Sequence, residues 1–147
     1  MYTHLEDCIY DLFGFMEITE PEQLAIDNVA KELKLQVVYR RKAFRFYDEI
    51  ILTPGTIQQE WQLFGHEVGH YLIHTGSQLQ MHYLFRDLQE YQANHFAYHF
   101  CVPTFMLENE TDLSVYKIMN LFNVEFDFAL RRLEMYERKL LDARAHC

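Results

Sequence analysis

At 147 residues the chain has the length of one domain with a substantial core, and half of it is hydrophobic, with 12 Phe and 10 Tyr. That composition excludes a disordered tail or a linker protein. A formal net charge of −9 disfavours a nucleic-acid binder, which draws its affinity from cations set against phosphates. The three cysteines, at 8, 101 and 147, are odd in number and far apart, so neither a disulfide framework nor a CxxC thiolate zinc site is expected.

In chain order, the opening residues Met1 to Asp7 carry no basic region followed by an apolar run, and no segment approaches the ~18 apolar residues of a membrane span. A cytoplasmic protein is expected. Leu5 to Phe15 suits a first helix that ends near Gly14, and Cys101 reads as a small core residue. Thr19-Glu20-Pro21-Glu22 predicts the start of a second helix, with Leu24, Ile26, Val29, Ala30 and Leu33 mostly on one side of it. Three short β-branched or aromatic runs come next, at 35–39, 43–47 and 49–53. Their separators are too short for crossover helices, which predicts an antiparallel meander closed by Pro54-Gly55. The basic run Arg40-Arg41-Lys42 reads as a solvated turn. Four helices then follow, over 57–74, 86–102, 111–122 and 126–141, the second of them stopped by Pro103.

This order predicts an α+β fold, mostly helical, with a small three-stranded antiparallel sheet preceding the helix that carries the chemistry. No repeat or Pro/Gly/Ser linker divides the chain, so residues 1–147 read as one domain that includes the helical segment 111–141.

The chemistry lies in Gly65-His66-Glu67-Val68-Gly69-His70. His66 and His70, four apart, share one helix face and can meet a single ion, while Glu67 points beside it and can take a proton from water. This H-E-x-x-H pattern has only three fixed residues and occurs by chance on ordinary helices. The small residues Gly65 and Gly69 give it more weight here, because they let another helix approach closely. Zinc needs a third protein ligand and leaves its fourth position to water. His74 lies eight residues beyond His66, about 12 Å along the axis, too far to share the ion. Ile73 and Gly76 exclude the extended motif with a third histidine at 76.

The third ligand is therefore expected from the next helix, which offers Asp87, Glu90, His95 and His99. Glu90 is favoured. Ala93 and Ala97, on an adjoining face, permit close packing on Gly65 and Gly69, whereas His95 stands about 140° around the helix from Glu90. His95 and His99 read as core or surface histidines. Tyr71, His82, Tyr83 and Tyr91 are candidates to stabilise an oxyanion, and 75–85 is a candidate lid.

Together, His66-Glu67-Val68-Gly69-His70 and Glu90-Tyr91-Gln92-Ala93-Asn94-His95-Phe96-Ala97, followed by Cys101-Val102-Pro103, resemble the paired motifs of the ImmA/IrrE metallopeptidases. The resemblance runs from about the strand region to the last helix, where 121–133 is similar to the family's closing helix-turn-helix-like segment. It implies a zincin-like fold, Zn2+ as cofactor, Glu90 as third metal ligand, and site-specific cleavage of a helix-turn-helix transcriptional repressor. The chain has little room for a C-terminal sensing region, so the short phage or mobile-element type is the expected branch. Gln92 departs from the pattern, because many relatives carry a second acid there. The same residues admit two rival readings. One is a non-catalytic metal module that sequesters a repressor, against which Glu67 argues. The other is a DNA-binding regulator built on the C-terminal helices, against which their mixed charge argues.

Overall fold

The computed structural model describes residues 2–39, 49–75 and 90–145, the side chains of 73–75 and 90–92 excepted. Thr3 opens helix α1 (His4–Phe15) with a reciprocal cap. Its hydroxyl accepts from the Glu6 N–H at 3.2 Å, and the Glu6 carboxylate accepts from the Thr3 N–H at 2.8 Å. The expected helix start at Thr19 is only a 3-10 turn over Pro21–Gln23. The Gln23 side chain folds back to accept from the Thr19 and Glu20 N–H groups at 2.9 and 3.0 Å, which closes the turn on itself. Helix α2 (Ile26–Leu33) begins after it and ends at Lys34, whose left-handed φ of 58° redirects the chain. Val29 and Ala30 are buried, with Ile26 and Leu33 packed alongside.

The sheet corrects the sequence reading. Strands β1 (Gln36–Tyr39) and β2 (Glu49–Leu52) pair with each other in parallel, Gln36 opposite Glu49 and Tyr39 opposite Leu52. Among the described residues the sheet has two strands, not three in an antiparallel meander. In a meander the middle run separates the outer two, and this direct pairing is incompatible with that order. Apolar runs reveal strands but carry no information on which edges meet or in which direction. The run 43–47 lies outside the described residues.

Helix α3 (Ile57–Thr75) lies against β2, and helix α4 (Glu90–Cys101) packs along α3. Trp61, Phe64, Val68 and Leu72 form the buried stripe of α3, and Ala93, Phe96, Ala97, Phe100 and Cys101 that of α4. Gly65 makes the close approach possible. A Cβ there would stand 2.7 Å from the Cys101 Sγ and 3.5 Å from Ala97, and one at Gly69 would stand 3.0 Å from the Phe96 ring. Phe13, Phe96 and Phe100 stack behind this contact, with Trp61 and Phe64 beside them. Each such ring contributes roughly 1.5–3 kcal/mol by leaving water, and together they make α3 a rigid platform.

After Pro103 come α5 (Thr104–Leu107), α6 (Val115–Phe122), which Ser114 caps, and α7 (Phe126–Ala145). Asn123, at φ 54°, turns the chain between α6 and α7. Hydrogen bonds hold α7 and the residue before it to the core. The Arg132 guanidinium, 1% exposed, donates from Nε to the Val102 carbonyl and from Nη2 to the Thr104 hydroxyl, both at 2.9 Å. The Glu125 N–H donates to the Gln62 Oε1 of α3 at 2.7 Å.

Candidate metal centre

His66, Glu67 and His70 line the half-buried face of α3, next to its apolar stripe. Helical spacing brings the two imidazoles together at a ring-centroid distance of 4.7 Å, steeply tilted to each other, with the two Nε2 atoms 3.1 Å apart. The Nδ1 of His66 lies 2.7 Å from the Oδ1 of Asn94 on α4. An amide oxygen only accepts, so this contact puts the proton on Nδ1 and leaves the His66 Nε2 lone pair facing His70.

That arrangement fits a tetrahedral cation. Two nitrogens bound at 2.0–2.1 Å with a tetrahedral angle between them stand about 3.3 Å apart, close to the distance across this pair. The Asn94 contact is the kind of outer hydrogen bond that fixes a ligating histidine's tautomer and ring plane. Among the described residues no three His, Cys, Asp or Glu side chains converge. The backbone of Glu90 lies in α4, one turn before Asn94 on the same face, but its side chain lies outside the described residues. The side chains of His74 and Tyr91 lie outside them as well, as do Asp87, His82, Tyr83 and most of the candidate lid. Tyr71 is half-buried and packs against the core.

His95 and His99 stand on a different face of α4. Their rings are 4.7 Å apart, and the His99 Nδ1 donates to the His95 carbonyl at 3.1 Å. Burial, and then the charge of Arg132, push the His99 imidazole down to about 3. Burial likewise holds Cys101 protonated, so its thiol packs and is no thiolate ligand.

The sequence reading does not single out Asn94 as part of the site. A signal for it exists: Asn94 follows Glu90 by four residues, so whatever turns Glu90 toward α3 turns Asn94 the same way. The cleft beside His66 is likewise absent from that reading. It measures about 440 Å³ and is lined by Gln59, Gln62 and Leu63 from α3, Asn94 and Tyr98 from α4, and Phe128 from α7. Gln59, Gln62 and His66 recur at helical spacing, yet surface glutamines on a helix ordinarily mark a solvated face. Here Gln62 is held by Glu125, and the Tyr98 and Phe128 rings meet tilted at 4.4 Å between centroids.

The profile of the M78 peptidase family, the IrrE N-terminal-like domain, matches residues 30–134, and the chain belongs to that family. Its relatives include the phage-like element PBSX protein XkdA of Bacillus subtilis (strain 168), 38% identical over 149 residues that cover 93% of this chain and 75% of that protein. The uncharacterized protein YqaB of the same strain is 32% identical over 149 residues, covering 94% of this chain and 87% of its own length. No solved structure matches the chain significantly. Among the described residues, no helix is long and apolar enough to cross a membrane.

Proposed function

We propose that the protein is a zinc-dependent endopeptidase with His66, His70 and Glu90 as metal ligands and Glu67 as general base. The observation that carries this reading is the facing Nε2 pair of His66 and His70, with Asn94 fixing the outer nitrogen of His66. Zinc is the metal preferred for a donor set of two imidazoles and one carboxylate. When bound, zinc supplies the Lewis acidity that makes water a nucleophile at neutral pH.

The chain's own residues do the rest. The Glu67 carboxylate takes the proton from the attacking water and returns it to the amine nitrogen as the C–N bond breaks. Asn94 holds the His66 ring so that this geometry is set before substrate arrives. The cleft walled by Leu63, Tyr98 and Phe128, with amides at its edge, receives a side chain next to the scissile bond. Strand β2, which packs on α3, offers backbone groups to an extended peptide.

We infer that the substrate is a helix-turn-helix repressor of a phage or mobile element and that the enzyme acts in the cytoplasm. The resemblance to ImmA/IrrE enzymes supports this, as does the relationship to a protein of a phage-like element. The test is mass spectrometry of the repressor encoded beside this gene, after incubation with zinc-loaded protein and separately with Glu67→Gln. Cleavage at one bond by the first and not the second supports the assignment. Binding by both without cleavage makes sequestration the better account.

A further inference from the structure

The side of α4 that carries His95 and His99 lines a second pocket, of about 370 Å³, between α1, α4 and α7. We propose that this pocket binds the phosphate group of a small molecule.

The chain carries −9 overall, yet this pocket is lined by four cations, Arg131, Arg132, Arg138 and Lys139, against two carboxylates, Glu6 and Asp142. One carboxylate is already committed. Glu6 accepts from the Thr3 N–H, from the Thr104 hydroxyl and from the Lys139 ammonium, the last at 3.1 Å. The buried Arg132 donates to that same Thr104 hydroxyl, so Glu6 lies among the two inner cations and neutralises one of them, while Asp142 sets one negative charge against the outer pair. Arg131 and Arg138 remain at the mouth. They are exposed, stand two turns apart on one face of α7, and form no ion pair among the described residues.

Guanidinium groups offer paired N–H donors that match phosphate oxygens. Walls of low dielectric concentrate the field of these cations. A metal ion is disfavoured at the His95–His99 pair because the Arg132 guanidinium raises the potential there; burial and then that charge lower both imidazoles from their ordinary value. The volume suits a small molecule rather than an extended chain. This inference stands on groups separate from the candidate metal centre and survives the loss of any peptidase activity.

The experiment is an NMR titration of the full chain with inorganic phosphate, and in a second arm with adenosine 5′-monophosphate, at constant ionic strength. The ring signals of His95 and His99 are followed. Saturable shifts are expected, with affinity lowered about tenfold or more in R131Q/R138Q, the loss of two charge-assisted contacts. Both replaced side chains are exposed, so the fold persists, which the unchanged spectrum of the core verifies. Equal affinities in the two arms mean that the group alone is recognised, and tighter binding of the nucleotide means that the group is carried on a larger molecule. No saturable shift in either arm, or equal affinity in the double variant, overturns the proposal. A glutamate-rich peptide that shifts these signals where both phosphates fail also overturns it, in favour of a carboxylate-docking surface.

Discussion

The Nδ1 of His66 and the Oδ1 of Asn94 stand 2.7 Å apart across the contact of α3 with α4. This bond joins the motif helix to the helix that carries Glu90, and it sets which imidazole nitrogen faces His70. Truncating Asn94→Ala leaves an exposed position unfilled and the fold intact, but frees the His66 ring and its tautomer. Zinc affinity is expected to fall 10–100-fold, read by competition with a chromogenic chelator. An affinity equal to that of the unaltered chain would remove Asn94 from the site.

The close approach of the two helices depends on Gly65. Gly65→Ala places a Cβ 2.7 Å from the Cys101 Sγ, which itself donates to the Trp61 carbonyl at 3.4 Å. Urea denaturation is expected to show a loss of about 1–3 kcal/mol from overpacking. Adding Cys101→Ala to that variant makes room and restores part of it, a non-additivity that marks direct contact.

Legibility in the sequence differs by kind of interaction. The His66–His70 face comes from the period of a helix, and the extent of α3 and the end of α4 before Pro103 from apolar spacing, because both are local; residues 86–89 of the expected helix lie outside the described residues. Strand pairing is not local. The apolar runs at 35–39 and 49–53 mark strands but leave their partners and direction open, so their short separators suggest an antiparallel meander although β1 and β2 pair in parallel. Pro21 and the acids beside it look like a helix start because the same residues open a 3-10 turn; the difference lies in Gln23 folding back. Arg132 reads as one more charge on a mixed helix, and nothing in its neighbours announces that it is buried against Val102 and Thr104.

That buried arginine leads to a stability prediction. Arg132→Met removes one of the two partners of the Thr104 hydroxyl, leaves the Val102 carbonyl without its donor and leaves Glu6 with less compensation. The expected loss is about 3–5 kcal/mol, as for other broken buried ion networks, and chemical denaturation measures it.

Acid should weaken the fold before the carboxylates titrate. His99 stays neutral in the folded chain down to about 3, while its ordinary value is 6.5. Between these values the unfolded chain holds the extra proton, so stability falls as pH is lowered through 6.5, by at most about 1.4 kcal/mol per pH unit. For Glu6, burial pushes the carboxyl up, but the Thr104 hydroxyl, the Thr3 N–H and Lys139 outweigh it, and the net direction is down from 4.5. Its contribution is present above 4.5 and is lost only as pH falls through the lowered folded value. His99→Gln should therefore flatten the slope between 6.5 and 4.5, measured by urea midpoints across that range. An unchanged slope would contradict the buried, neutral imidazole.

The cleft beside His66 makes a prediction about substrate. Phe128→Ala removes one wall and the ring partner of Tyr98 without touching the candidate ligands. Zinc content should be unchanged while kcat/KM on the cleaved repressor falls about tenfold, roughly the effect of one lost apolar contact.

The proposed centre holds one metal between α3 and α4, with Glu90 as a ligand and Glu67 as a base beside it. Zinc content after exhaustive dialysis, compared among the unaltered chain, Glu67→Gln and Glu90→Ala, tests this most directly. About one equivalent is expected in the first two and a large loss in the third, since a catalytic site has only three protein ligands. Full retention in Glu90→Ala, or loss in Glu67→Gln, would contradict it.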